Sequence, residues 1–220
     1  MRTLGIVSAL LLGCLFTAAT AVGQFEGVVE SKNTMIDEIG KPQKFSIVMH
    51  IKKDRIRVET AAIGSTPASI MIYRLDRKVI WNINEADKTY FEILRNESVA
   101  SAPAMKAAQG AVKKTGKTRT ILGYQCEQVL ISHDGGQTEI WGTGALSDLV
   151  KTTNQVLDSQ DNEASGSWMD QVTKLGLFPM ASSTKMEGVV VDAQEISKVE
   201  RKNVAAELFE LPAGFKKIEI

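Results

Sequence analysis

The sequence predicts an α+β domain in which a curved antiparallel sheet of about eleven strands, an incomplete barrel, is covered by two or three helices. Three observations lead there. β-branched and aromatic residues alternate with polar ones from Phe25 to Ile93, and the pattern resumes after Lys117 and again after Lys185. The turns between these runs are short, whereas parallel pairing needs crossovers of about a dozen residues, so sequential neighbours should pair antiparallel. Helical spacing of apolar residues sets in only after Leu146.

Taken in order, the chain opens with Arg2, an apolar run from Leu4 to Phe16 and the small-residue stretch Thr17 to Gly23. This is the layout of a secretory signal peptide over residues 1–23, with cleavage before Val22 or before Gln24. A spanning helix wants ~20 apolar residues, more than the strongly apolar part offers, so a cleaved leader is expected rather than an anchor. No other stretch is long enough to span. Leu11-Leu12-Gly13-Cys14 resembles a lipobox, but Leu12 is bulky for its place and the chain stays apolar after Cys14. The soluble reading is therefore preferred, and 24–220 is taken as one half-barrel domain, periplasmic or secreted.

In the first strands, Phe45, Ile47, Met49 and Ile51 fall on one face while Ser46, His50 and Lys52 fall on the other, and Lys53-Asp54 turns the chain towards Ile56 and Val58. Ile70 and Ile72 belong to the next strand, Val79, Trp81 and Ile83 to another, and Phe91 and Ile93 to a sixth. The alanine-rich segment Ser98 to Val112, with Pro103 and Gly110 inside it, reads as a weak helix or connection. Strands follow at Lys117–Ile121 and Tyr124–Ser132, then a hairpin through Asp134-Gly135, where positive φ is wanted, into Gln137–Trp141. Leu146, Leu149, Val150, Thr153 and Leu157 give one helix, and Trp168, Val172 and Leu175 a second that Pro179 ends. Strands at Lys185–Val191 and Glu195–Lys202, a turn at Glu207-Leu208-Phe209 and a tail through Phe215 close the chain.

Composition excludes several classes of function. The 26 basic residues balance 26 acidic ones, and 44% of the chain is hydrophobic, so neither nucleic acid nor an anionic membrane is drawn by charge. Without the leader Cys126 is the one remaining cysteine, and no intramolecular disulfide can form. On its strand it should be a small buried apolar residue with a raised pKa.

Motifs that suggest chemistry fail on context. Gly110 to Thr118 resembles a phosphate-binding loop, but five residues separate Gly110 from Gly116-Lys117-Thr118 where four are needed, and it opens a strand. Gly142-Thr143-Gly144-Ala145-Leu146-Ser147 lacks the third glycine of a dinucleotide fingerprint and follows a hairpin arm, so a helix cap at Thr143 or Ser147 is the simpler reading. Asp158, Asp161, Asn162 and Glu163 lack the glycine and terminal glutamate of a calcium loop. His50 and His133 lie on different hairpins, and no Gly-x-Ser-x-Gly elbow occurs. No catalytic residue, metal or cofactor is therefore expected.

Phe25-Glu26-Gly27-Val28-Val29-Glu30, Asp54-Arg55-Ile56-Arg57-Val58-Glu59, Ile80-Trp81, Asp87-Lys88-Thr89-Tyr90, Gly123-Tyr124-Gln125-Cys126-Glu127, Glu139-Ile140-Trp141-Gly142-Thr143 and the closing Leu208 to Phe215 occur in one order along nearly the whole mature chain. Together they resemble the bacterial domain-of-unknown-function 4412 family. That family looks similar in strand order to LolA/LolB-type periplasmic lipoprotein carriers, which implies an open sheet around an apolar cavity lidded by helices. The resemblance transfers no binding or catalytic residue.

The expectation for function is an exported, non-enzymatic protein holding a lipid or other apolar ligand. The candidate lining residues are Phe45, Ile47, Met49, Ile70, Ile72, Trp81 and Ile83, with eight methionines in the chain to supply adaptable apolar surface. The same residues would equally fill a dry core. Alternatives are an envelope interaction or stress-sensing module that binds a protein partner, and an enzyme of unrecognised type.

Overall fold

A computed structural model describes residues 23–37, 39–95, 111–157 and 168–219. The expected leader up to residue 22, Cys14, the acidic stretch Asp158 to Glu163 and residues 98–110 of the expected weak helix or connection lie outside the described residues.

The fold is mostly β, which corrects the α+β expectation with two or three helices. Among the described residues twelve strands share one open sheet: β1 (Gly27–Ile36), β2 (Pro42–Lys52), β3 (Arg55–Thr60), β4 (Ser69–Arg74), β5 (Val79–Asn84), β6 (Thr89–Leu94), β7 (Ala111–Ile121), β8 (Tyr124–His133), β9 (Gly136–Thr143), β10 (Phe178–Met186), β11 (Val189–Arg201) and β12 (Lys216–Lys217). Among the described residues only α1 (Ser147–Leu157) has three turns, and α2 (Trp168–Lys174) has seven residues. Two features were over-read as helix. The end of the alanine-rich segment, Ala111 and Val112, already belongs to the long edge strand β7, and Leu175 lies beyond the end of α2.

The strand order β12-β6-β5-β4-β3-β2-β1-β11-β10-β9-β8-β7 consists of two meanders joined where β1 pairs with β11. All pairs are antiparallel except β12 with β6, where the tail returns parallel to Thr89 and Tyr90. The β1–β11 seam is tight at Gly27. A Cβ there would run into the Glu200 carbonyl oxygen, so glycine is required by close approach of two backbones.

Both faces of the first meander are covered. On one, the helix face, Leu146, Leu149, Val150 and Val156 pack with Phe25, Val29, Ile51, Ile56, Phe178, Met180 and Ile196. On the other, the tail face, Val204, Phe209, Leu208, Leu211 and Phe215 cover Ile70, Ile72, Val79, Trp81 and Ile83. α2 sits over the second meander, with Val172, Leu177 and Trp168 against Val129, Ile131 and Ile140.

Polar pins hold each cover in place. Arg74, 2% exposed, forks onto Asp76 (Nε–Oδ1 2.8 Å, Nη2–Oδ2 2.7 Å) and donates from Nη1 to the Phe209 carbonyl (2.9 Å) and Glu210 (2.7 Å). On the helix face, Arg201 donates to both Asp148 oxygens at 2.6 and 3.0 Å, and its guanidinium lies 4.8 Å from the Phe25 ring centroid. Thr152, fully buried, accepts from the Phe25 amide (3.1 Å) and donates to the Asp148 carbonyl (2.9 Å).

Candidate functional site

α1 is buried along one stripe from Leu149 to Val156, and the side of its last turns next to that stripe borders a gap. The 3-10 turn Gly144–Leu146 begins at Thr143, whose hydroxyl accepts from the Ala145 amide, so the glycine-rich stretch is a cap, and Leu146 is driven into the core. Along α1 the buried side chains Leu149, Val150, Thr152 and Val156 follow helical spacing. Thr153, Asn154 and Leu157 on the last turns border this gap, Leu157 also packing against the core, and Met169 and Thr173 of α2 close its other side.

The floor of this gap is the helix face. Ile47 and Met49 from β2, Val58 from β3, Tyr73 from β4, Ser31 from β1, Gln194 and Ile196 from β11, and Phe178 and Pro179 from β10 enclose about 300 Å³ with α1 and α2. Cross-strand pairing explains the floor: Met49 lies opposite Val29 on one side and Val58 on the other, and Val58 lies opposite Met71. The β1–β11 register slips between Glu30 and Ser31, so Ile196 rather than Ser197 comes opposite Ser31, whose other neighbour is Ile47. Its hydroxyl is engaged by Asn33 Nδ2 at 2.9 Å, and Thr153 donates back to the Leu149 and Val150 carbonyls. The exposed wall of the groove is therefore chiefly apolar.

A larger depression lies at the β1–β2 turn, lined by Met35, Asp37, Ile39, Gln43 and residues 63–66, with a volume of about 690 Å³. It is more open than the groove, and its carboxylate is already occupied. Asp37 accepts from the Ile39 and Lys41 amides (3.1 and 2.7 Å) and from Gln43 Nε2 (2.8 Å), and these bonds, with that to Lys41 foremost, hold its pKa below the usual carboxylate range. That arrangement builds a turn.

The seven expected lining residues divide between the two faces. Ile47 and Met49 line the groove, and Phe45, half-buried, lies farther along the same face of β2. Ile70, Ile72, Trp81 and Ile83 lie on the tail face instead, where Ile72 pairs with Trp81 and Ile70 with Ile83 beneath Phe209. Val58, Tyr73, Leu157, Met169, Phe178 and Ile196 were not anticipated. For Val58 and Leu157 the signal was present, since both continue a periodic apolar row. Met169 and Phe178 reach the groove only through tertiary packing.

Other candidate groups have structural settings. Cys126 is fully buried in the helix-face core, and burial pushes its thiol pKa up. His50 lies opposite the groove on the tail face, 3.6 Å from Glu59, and burial lowers its pKa despite that neighbour. His133 Nε2 is 3.2 Å from the Thr138 hydroxyl, which in turn is 3.1 Å from that of Thr184. Among the described residues no three His, Cys, Asp or Glu side chains cluster as a metal site would need.

A family model described as "Domain of unknown function (DUF4412)" matches residues 25–215. The chain belongs to the DUF4412 family. No functionally curated protein matches it. Among solved structures this DUF4412 protein is similar to an uncharacterized conserved protein from Thermus thermophilus, with 12% identity, a TM-score of 0.49, and coverage of 88% of this chain and 90% of that one. It is also similar to PNGF-II at 15% identity and a TM-score of 0.43, with 88% of this chain spanning 30% of that one. A DUF1329 family protein from Desulfovibrio piger aligns at 7% identity and a TM-score of 0.23, over 86% of this DUF4412 chain and 91% of that one.

Proposed function

We propose that this DUF4412 protein is an exported, non-enzymatic envelope protein that holds an apolar ligand, such as a lipid or acyl chain, in the groove between α1, α2 and the helix face. The observation that carries this reading is the groove itself. It holds about 300 Å³ beneath the end of α1, at the lower end of the ~300–1,000 Å³ typical of ligand sites, and is lined mainly by Ile47, Met49, Val58, Leu157, Met169 and Phe178. Two methionines at its wall suit a ligand of variable shape. The order of Arg2, apolar run and small residues supports export, and an open sheet with a helical cover supports the analogy to LolA/LolB-type carriers. Among the described residues no helix is long and apolar enough to cross a membrane.

The test is a paired measurement on Met49→Ala and its neighbour His50→Ala, following denaturant midpoint and binding of a fluorescent fatty-acid analogue. Met49→Ala should weaken probe binding while stability falls by less than ~2 kcal/mol, because one side of Met49 already faces space. His50→Ala, on the other face, should leave probe binding unchanged. A loss of ~2–5 kcal/mol on Met49→Ala, with no probe binding by the parent protein, would mean a dry core and overturn the reading.

A further inference from the structure

Arg95 follows directly on β6, and its amide donates to the Lys78 carbonyl at 2.8 Å. The side chain is 5% exposed, yet Nε, Nη1 and Nη2 have no hydrogen-bond partner among the described residues. Arg74 provides the contrast, since its three guanidinium nitrogens are all engaged, by Asp76, Glu210 and the Phe209 carbonyl. A guanidinium stays protonated in proteins, so Arg95 is a full positive charge buried with no counter-charge paired to it among the described residues, an arrangement that costs heavily unless an anion completes it.

The position of Arg95 says what that anion would be attached to. Ile93 is opposite Ile80, and Ile80 is opposite Tyr73, so alternation puts Arg95, two residues past Ile93, on the same helix face, one step along the sheet from the row of Tyr73. Tyr73 lines the groove. Burial lowers the pKa of Arg95, and Tyr73 is near enough to act on it electrostatically. Arg95 is not itself in the groove's lining, but its place in the sheet is on the groove's side, one step beyond the row that supplies Tyr73.

We propose that the ligand of the groove is an amphiphile with a single terminal carboxylate, received by Arg95, and an unbranched apolar chain of about ten carbons lying between Met49, Val58 and Leu157. This rests on the groove being a ligand site. The chain length follows from volume, because about 300 Å³ accommodates roughly ten groups of a water molecule's ~30 Å³ share. The head group follows from charge and shape: a carboxylate matches the planar fork with two parallel hydrogen bonds and one negative charge, whereas a phosphate monoester brings about −1.5 to −2 against a single arginine.

Calorimetric titration of the purified protein with decanoate, 1-decanol and decylamine tests it, on the parent and on Arg95→Met and Arg95→Lys. The parent should bind decanoate at least about tenfold more tightly than decanol and reject decylamine. Arg95→Met should bring decanoate down to the level of decanol while leaving decanol unchanged, and Arg95→Lys should recover part of the preference. Without ligand, Arg95→Met should melt no lower than the parent, because it removes an unpartnered buried charge. Equal binding of decanoate and decanol by the parent would overturn the carboxylate while leaving the groove as a ligand site. Binding of neither would overturn both, and a much lower melting temperature for Arg95→Met would show that the guanidinium serves the fold instead.

Discussion

Arg74 and Asp148 illustrate how a single ion pair fixes a whole segment when one partner is buried. Arg74→Ala removes the guanidinium but leaves the Phe209 carbonyl, Asp76 and Glu210 around a void beside Trp81, so a loss of about 3–5 kcal/mol is expected, with the tail released. Denaturant midpoints give the cost, and faster amide exchange at Val204 to Leu211 than in β2 would locate it. Asp148 makes a pH-dependent contribution. Its hydrogen bonds from Arg201, ahead of opposing desolvation, hold its pKa below the usual aspartate range. A depressed folded pKa contributes stability that is complete above the unfolded value near ~3.9 and is lost as pH falls through the folded value. Asp148→Asn should flatten that acid limb, as measured by unfolding midpoints between roughly pH 2 and 6. Cys126→Ser, by contrast, exchanges a buried thiol for a group of similar volume and should cost ~0.5–3 kcal/mol with no change of oligomeric state.

At the level of elements, alternation made most strands readable, and its failure at β4 has a definite cause. Ser69–Arg74 is Ser-Ile-Met-Ile-Tyr-Arg, apolar on both parities, because Met71 and Tyr73 meet the helix face while Ile70 and Ile72 meet the tail. A strand covered on both sides reads as a continuous apolar run, and no periodicity says which parity lines a cavity. The identity of the cover was equally hidden, since Val204 to Phe215 is a nearly irregular stretch whose apolar residues have meaning only once docked. β2 was legible because its tail-face residues include Ser46 and His50. The edge strand β7 yields a prediction of its own. It is almost wholly exposed and carries Lys113, Lys114, Lys117 and Arg119, charges that discourage pairing with another edge. Replacing Lys113 and Lys117 together with threonine should leave the unfolding midpoint within ~0.5 kcal/mol but produce concentration-dependent association, visible by light scattering.

For the whole molecule, one sheet separates two apolar layers with different expected responses to truncation. Trp81, 5% exposed beneath Phe209, belongs to the layer that is filled, so Trp81→Ala should cost ~3–5 kcal/mol. Measured at a denaturant concentration where the variant is still folded, its affinity for the fatty-acid probe should equal that of the parent protein. A loss of affinity would mean that the layers are coupled through the sheet. The seam between the meanders has a further consequence, for the order of events during synthesis. Of the described strands β1 comes first in the chain, and its register partner Arg201 opposite Gly27 ends β11, so half of the hydrogen-bonding edge of β1 waits for a strand that begins only at Val189 to be made. Such distant pairing slows folding, because loop closure must precede the contacts that reward it. A chain threaded across a membrane from its amino end would thus remain incompletely folded until its last strands emerged, which is the state that such passage demands, and the sheet would close on the far side.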